Sequence, residues 1–262
     1  MKYDAVVVGG SLGGVMAAYA LSKQGIKTAL IEETSWLGGQ LTNQGVPSDE
    51  HKYIEFTGAT KTYREFREKI REYYRNHPDI IDSLKTKKIF NPGNGWVSRN
   101  SSDPRVSLKF INGMLEPFTK KNILKIFLNT KVIGAEKTND TVKHIVIKHN
   151  EKVHFIEAKY FLDATDTGEL LPLTKTDYVT GAESFKETNE PHAPKVKDPE
   201  DIQPITWTAA IGFNSNNTKI IDKPQMYDKF KNYLMPFGES ILSWYAAGLH
   251  QGTKREFSMF AL

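Results

Sequence analysis

At 262 residues, with 39% hydrophobic and 25% charged content, the chain can bury one large core or two modest ones and has the balance of a soluble globular protein. It has no cysteine, which excludes disulfides, thiolate-held iron–sulfur clusters and dithiol relays. No apolar run approaches the ~20 residues of a bilayer-spanning helix. The formal charge of +4 is small and local, since residues 61–88 hold nine Lys or Arg against five Asp or Glu. That periodic charge reads as a solvated helix face in preference to a nucleic-acid surface. The seven histidines lack the helical HxxxH spacing of a zinc site, so no metal is expected.

Taken in chain order, Ala5, Val6, Val7 and Val8 suit a buried strand, being apolar and mostly β-branched. Gly9, Gly10, Ser11, Leu12, Gly13 and Gly14 follow as a turn with almost no side chain. From Leu12 to Gln24 the residues Leu12, Val15, Met16, Tyr19, Ala20 and Leu21 recur at helical spacing, and Gly25 provides the stop. Thr28 to Ile31 is a second apolar run, ending on Glu32. This is a βαβ unit, whose chemistry is anion binding: small residues let backbone N–H groups approach a phosphate, and the helix N-terminus adds positive dipole. Glu32, with Glu33 second, stands where an acid accepts hydrogen bonds from ribose hydroxyls, favouring an adenine dinucleotide without a 2′-phosphate. Against G-x-G-x-x-G, Ser11 replaces the middle glycine.

Two rival readings use the same residues. Gly9 to Gly13 also satisfies G-x-S-x-G, with Ser11 as the nucleophile of a serine hydrolase. Only eight residues precede Gly9, too few for the upstream strands and oxyanion loop that such an elbow needs. A secretory leader is the other, and Asp4 together with the glycine pairs argues against it.

The segment from Thr34 to Gly45 is polar and holds Gly38-Gly39, suiting a backbone pressed against a ligand at the carboxyl end of the second strand. Residues 60 to 76 read as an amphipathic helix with Tyr63, Phe66, Ile70 and Tyr73 or Tyr74 inward. The turn-rich 91–99 segment suits a ligand loop or a packed surface loop equally. Another helix is expected from Asp103 or Pro104 to Leu115. Leu124 to Leu128 is a third strand; Val132 to Glu136, Val142 to Lys148 and Lys152 to Glu157 form an antiparallel meander, with His144, His149 and His154 as surface decoration. Lys159 to Leu162 is a further strand, and the small, turn-forming residues from Asp163 to Leu170 end it on the ligand side. Proline-punctuated 181–201 reads as an extended crossing, Ile205 to Phe213 as a strand, Gln225 to Tyr233 as helical, and Ser240 to Leu249 as a last ordered piece.

Together Gly-Gly-Ser-Leu-Gly-Gly, Glu32, Trp36-Leu37-Gly38-Gly39-Gln40-Leu41-Thr42, the meander and Phe161-Leu162-Asp163-Ala164-Thr165-Asp166-Thr167-Gly168-Glu169-Leu170 resemble the FAD-dependent oxidoreductases with a glutathione-reductase-type flavin domain. Within that group the sequence looks most like the heterodisulfide reductase A-like enzymes, whose nucleotide loop is similar to Gly-Gly-Thr-Pro-Gly-Gly, so that Ser11 fits the pattern. The resemblance implies FAD as cofactor. It implies that Gly9 to Gly14 hold the pyrophosphate and Glu32 the adenosine ribose. Gly38, Gly39, Gln40, Leu41 and Thr42 would lie between pyrophosphate and flavin, the Val132 backbone at adenine, and Ala164, Thr165 and Asp166 along the other side.

The fold class expected is α/β: a Rossmann-type doubly wound parallel sheet, a three-stranded antiparallel meander and a partial second α+β domain. Residues 1–45 and 120–180 would form the flavin domain, 46–119 a mainly helical insertion and 181–262 a partial substrate domain. The expected function is a cytoplasmic oxidoreductase passing hydride or electrons between flavin and a small molecule, with no nucleic-acid or membrane partner. No catalytic residue is singled out; Arg99, Arg255 and Trp207 are candidates for substrate or flavin contact. Relatives in that group return to the flavin domain through a late Gly-Asp strand with no counterpart before Leu262. The alternative expectation is therefore an N-terminal portion that binds nucleotide without turnover.

Overall fold

The computed structural model describes residues 1–93, 98–203 and 222–234, the single positions 205, 208, 216, 218 and 220, and the backbone of 245–247 and 254–256. The chain divides into two units: Met1–Val46 with Asp103–Thr208, and Pro47–Ser102 with Ala209–Leu262.

In the first unit four short strands, β1 (Ala5–Val8), β2 (Thr28–Ile31), β3 (Leu124–Phe127) and β7 (Tyr160–Asp163), form an all-parallel sheet in the order β3-β2-β1-β7. Every residue of β1 and β2 is buried, as the continuous apolar runs require of a sheet covered on both faces. On one face lie helix α1 (Leu12–Lys23) and helix α4 (Pro104–Lys120). On the other lies the meander β4 (Thr130–Thr138), β5 (Thr141–His149) and β6 (Lys152–Glu157), antiparallel in sequence order. Ile145, Ile147 and Ile156 pack from the meander against Val6, Val8, Ala29, Ile31 and Phe127 of the sheet. Each such side chain, fully buried, contributes about 1.5–3 kcal/mol. The doubly wound class and the meander are as the sequence implies.

Three differences have clear causes. The buried stripe of α1 is Gly14, Val15, Ala18 and Ser22, with Ala20 exposed, because small residues let the helix lie close on the sheet. The larger Tyr19 is half-buried at its flank, edge-on to Phe118 of α4. Helix α4 runs through Pro117 to Lys120, five residues beyond the expected end, and packs on α1 and β3 within the first unit. The 181–201 crossing is tied to itself: Ala182 bridges Asp198, and helix α6 (Phe185–Thr188) starts from a capping box between Ser184 and Glu187.

In the second unit α2 (Lys61–Arg75) buries Phe66 and Ile70 as expected, but also Arg67 and Arg71. The charge pattern implies a solvated face, yet two of its cations turn inward to acids on the preceding loop. Arg67 meets both Glu50 and Glu55, its Nη1 touching Glu50 as an ion pair without hydrogen-bond geometry. Arg71 binds Glu55 at 2.6 Å and the carbonyl of Phe90 at 2.9 Å. Tyr63 donates to Glu50 at 2.6 Å and Ser98 does so at 2.9 Å. Burial, reinforced by the Glu50 carboxylate, holds the Tyr63 hydroxyl far above the usual phenol range.

A short helix α3 (Asp82–Lys85), helix α7 (Tyr227–Lys231) within the expected 225–233 piece, and an antiparallel pair β8 (Tyr245–Ala247) and β9 (Lys254–Glu256) complete the described elements of this unit. All of the strand expected at 205–213 except positions 205 and 208, the side chains of Trp207 and Arg255, and residues 94–97 of the turn-rich loop lie outside the described residues. No helix among the described residues is long and apolar enough to cross a membrane.

Candidate dinucleotide site

The strand order reverses between β1 and β7, the crevice where open α/β sheets bind ligands at the strands' carboxyl ends. A cavity of about 260 Å³ lies there, lined from five segments of the first unit: Val8, Gly9 and Ser11; Ile31 to Thr34; Gly39 and Asn43; Thr130 to Val132; and Ala164 to Thr167 with Glu169.

Its first wall is the β1–α1 turn. Gly9 has φ +96°, and a Cβ there would stand 2.2 Å from the Ala164 carbonyl oxygen. A Cβ on Gly14 would stand 1.9 Å from the carbonyl oxygen of Gly9. Both positions exclude any side chain, because the turn is pressed between its own helix and the end of β7. A Cβ on Gly13, by contrast, would meet nothing nearer than the Ser11 hydroxyl at 3.7 Å. Gly13 is thus not demanded by packing; it bares backbone at the first turn of α1, where N–H groups lack helical acceptors and the dipole favours an anion.

Ser11 caps α1. Its Oγ accepts from the Gly14 N–H at 3.3 Å and donates to the Ala164 carbonyl at 2.8 Å. The hydroxyl that replaces the middle glycine is therefore turned into the protein, joining the ends of β1 and β7. A hydroxyl donating to a carbonyl has no base to activate it, and no histidine is among its partners. The nucleophile reading finds no support in this geometry.

Glu32 ends β2 and is 7% exposed. Its Oε2 accepts from the Gly10 N–H at 2.6 Å and its Oε1 from the Thr34 N–H at 2.8 Å. The carboxylate fastens the glycine turn to the loop after β2. Each oxygen has a further lone pair, and the side chain lines the cavity, so ribose hydroxyls can be served by the same group. Glu33 lines the cavity beside it.

The loop after Glu33 folds across the turn. The Gly38 N–H donates to the Gly10 carbonyl at 2.7 Å, and Gly39 lies against Ser11, where a Cβ would be 3.2 Å from its Cα. Leu41 and Thr42 close a 3-10 turn, Gly39–Leu41, from inside. The Thr42 hydroxyl donates to the Leu37 carbonyl at 2.6 Å, and Leu41 and Thr42 are 5% and 1% exposed. Of the residues implied by the resemblance, the cavity lining gathers Gly9, Ser11, Glu32, Glu33, Gly39, Val132, Ala164, Thr165 and Asp166. Gly10, Leu12, Gly13, Gly14, Gly38, Gln40, Leu41 and Thr42 are outside that lining and build the loops around it.

Thr34 and Asn43 fall within the loop expected to press against a ligand, whereas Thr130 and Lys131 carried no sequence signal. Thr34 and Asn43 are joined, Asn43 Nδ2 donating to the Thr34 hydroxyl at 3.0 Å. Thr130 opens β4, is 1% exposed and lies 2.5 Å from His149 Nδ1. His149 also sets its ring edge-on to Phe127, so it packs on Thr130 and Phe127 where surface decoration was expected. Lys131 is the cation of the lining, against Glu32, Glu33, Asp166 and Glu169. That acidic balance disfavours an additional phosphate at the ribose and suits hydroxyl donors.

The residues present fit the pyrophosphate and adenosine end of a dinucleotide: a side-chain-free turn on a helix N-terminus, a carboxylate for ribose, and a wall from the β7 loop. Comparison with known proteins gives the family. The chain belongs to the FAD dependent oxidoreductase family, whose sequence pattern matches residues 4–257. It is 26% identical over 241 residues to digeranylgeranylglycerophospholipid reductase of Methanocaldococcus jannaschii, covering 90% of this chain and 51% of that protein. To the protein of the same name from Methanococcus vannielii it is 25% identical, covering 97% and 57%. The chain thus spans about half the length of these curated relatives. A solved geranylgeranyl bacteriochlorophyll reductase-like protein of Thermoplasma acidophilum aligns with 63% of this chain and 39% of its own, at 21% identity and a TM-score of 0.36.

Proposed function

We propose that this chain is the nucleotide-gripping part of an FAD-dependent oxidoreductase and that the cavity receives the adenosine and pyrophosphate of FAD. The observation that carries the reading is the meeting of Gly9, Glu32, Gly39 and Ala164 around one cavity at the reversal of strand order. The Gly9 to Gly14 turn, which reaches the cavity at Gly9 and Ser11, would hold the pyrophosphate, Glu32 would accept from the ribose hydroxyls, and Val132 would meet adenine. FAD, when bound, supplies the isoalloxazine that accepts or donates hydride or electrons. The protein's share is orientation: Ser11 and Glu32 hold the three loops at fixed spacing, so binding needs little reordering of the cradle.

A second reading, a nucleotide-binding module without turnover, is favoured by cavity size. About 260 Å³ is just below the range of small-molecule sites, roughly 300–1,000 Å³, and matches part of a dinucleotide better than all of it. Purified protein incubated with FAD and then desalted separates the outcomes. Retained flavin that is first reduced and then passes its electrons to an added acceptor faster than free reduced FAD does supports the oxidoreductase. Retained flavin that transfers no electrons supports the module. Absence of retained flavin, with no binding on titration, rejects both for this chain.

A further inference from the structure

We propose that Asp163 is the positioning residue of the second cofactor wall, fixing the backbone of residues 164–167 at the distance from Gly9 that a bound dinucleotide needs; this rests on the FAD reading above. Asp163 is the last residue of β7, in register with Val8 of β1. Neither carboxylate oxygen is idle. Oδ1 accepts from the Thr165 N–H at 3.0 Å and the Thr165 hydroxyl at 2.7 Å. Oδ2 accepts from the Leu170 N–H at 2.9 Å, where helix α5 (Leu170–Leu173) begins. The Thr165 hydroxyl in turn accepts from the Glu169 N–H at 2.8 Å. One side chain thereby closes the loop from 163 to 170 on itself.

The start of the loop is fixed from the first wall. The Ala164 N–H donates to the Val8 carbonyl at 2.7 Å, and its carbonyl accepts from Ser11. Ala164 therefore lies where a Gly9 Cβ would have been, while Asp163 holds the loop beyond it, and Ala164, Thr165, Asp166 and Thr167 all line the cavity. Asp163 itself does not line it. Its side chain acts on ligand through the loop, since its oxygens are committed to Thr165 and Leu170. Leu170 anchors the far end in the apolar core with Val8, Ile31 and Phe127, so the tether runs from a rigid strand to a rigid core residue.

The consequence is specific. Loss of this tether should leave the sheet and meander in place, because their hydrogen bonds and apolar contacts do not involve the Asp163 carboxylate, while the wall becomes free to move. Asp163→Ala removes all three accepted bonds. Asp163→Asn keeps one acceptor for Thr165 and turns an N–H₂ donor toward the Leu170 N–H. The protein would be titrated with FAD, following flavin fluorescence, beside thermal unfolding of the FAD-free form and hydrogen exchange across 164–170.

Weakening of FAD affinity by at least about tenfold in Asp163→Ala is expected, from the loss of the three hydrogen bonds that hold the wall. A smaller loss is expected for Asp163→Asn. Exchange at Thr165 and Leu170 should rise in both, with the FAD-free unfolding midpoint close to that of the parent protein. Unchanged FAD affinity in both variants overturns the proposal, as does an affinity loss accompanied by general unfolding in both, which marks a purely structural residue. If the parent protein takes up no FAD, the FAD reading fails and this proposal with it. If the parent binds and only the variants' result is negative, this proposal fails alone.

Discussion

The two units are held together by opposite means. Around the candidate site the decisive contacts are backbone against backbone: Gly14 on Gly9, Gly9 on Ala164, and a glutamate that accepts from two main-chain N–H groups. In the 47–102 segment the centre is ionic, with Arg67 and Arg71 buried against Glu50 and Glu55. The first arrangement makes a surface that needs no side chain and so can be approached closely by a phosphate. The second commits its buried cations to acids; it specifies a fold through partners that must all be present.

That contrast can be broken most severely at Arg67, whose side chain is 4% exposed. Arg67→Ala leaves Glu50 without its cation and Glu55 with Arg71 alone, and leaving a buried charge without its partner typically costs about 3–5 kcal/mol. Chemical denaturation should record that loss, with protease cleavage appearing first within 47–102. An equal loss of protection across 1–46 would show that the units do not differ in this way. Next in size is Gly14→Ala, which sets a methyl against a backbone carbonyl; overpacking of that kind costs about 1–3 kcal/mol. Flavin retention should be lost with it, and retention at the parental level would mean that the close approach of α1 to the turn does not shape the site.

Glu32→Gln is milder. The amide keeps one acceptor but opposes a donor to one of the two N–H groups, so FAD affinity should fall by about tenfold, the worth of one charge-assisted hydrogen bond. A titration that finds no change would remove Glu32 from the cradle.

The smallest effect expected is a pH dependence. Burial raises the Glu55 carboxyl, but the hydrogen bond from Arg71 and the charges of Arg67, Arg71 and Arg99 outweigh it and hold the group below its ordinary value of 4.5. A depressed folded value contributes stability above the unfolded value and loses it as pH falls through the folded one. Stability of the parent protein should therefore drop on the acid side of 4.5, and Glu55→Gln, less stable at neutral pH, should show a shallower acid slope. Identical slopes in parallel denaturation series would assign the acid sensitivity elsewhere.

The same contrast explains what could be read from the sequence. The first unit was legible because its signals are local: a β-branched run, a turn without side chains, a helical period and an acid at a fixed distance. Even there, the roles divided in a way that spacing does not encode. Gly9 and Gly14 are demanded by packing, Gly13 is not, and Ser11 is a cap and a strap whose carbonyl partner is 153 residues away. Thr34, Asn43 and Thr130 enter the cavity through tertiary folding, and none belongs to a spaced motif. Asp163 was visible as a turn-former within a motif of the resemblance, with no role of its own. In the second unit Arg67 and Arg71 carry the same period as a solvated face, and only the acids of the 50–55 loop, which has no period, reveal that they point inward.

Because the proposal places the adenosine and pyrophosphate end of FAD in the cavity, the most direct measurement is competition at equilibrium: FAD bound to the purified protein, challenged with ADP and separately with FMN. Displacement of FAD by ADP, with FMN ineffective at the same concentration, is the expected result. FAD that is not bound at all, or that FMN displaces and ADP does not, would contradict the assignment of Gly9 to Gly14 and Glu32 as the grip on the dinucleotide.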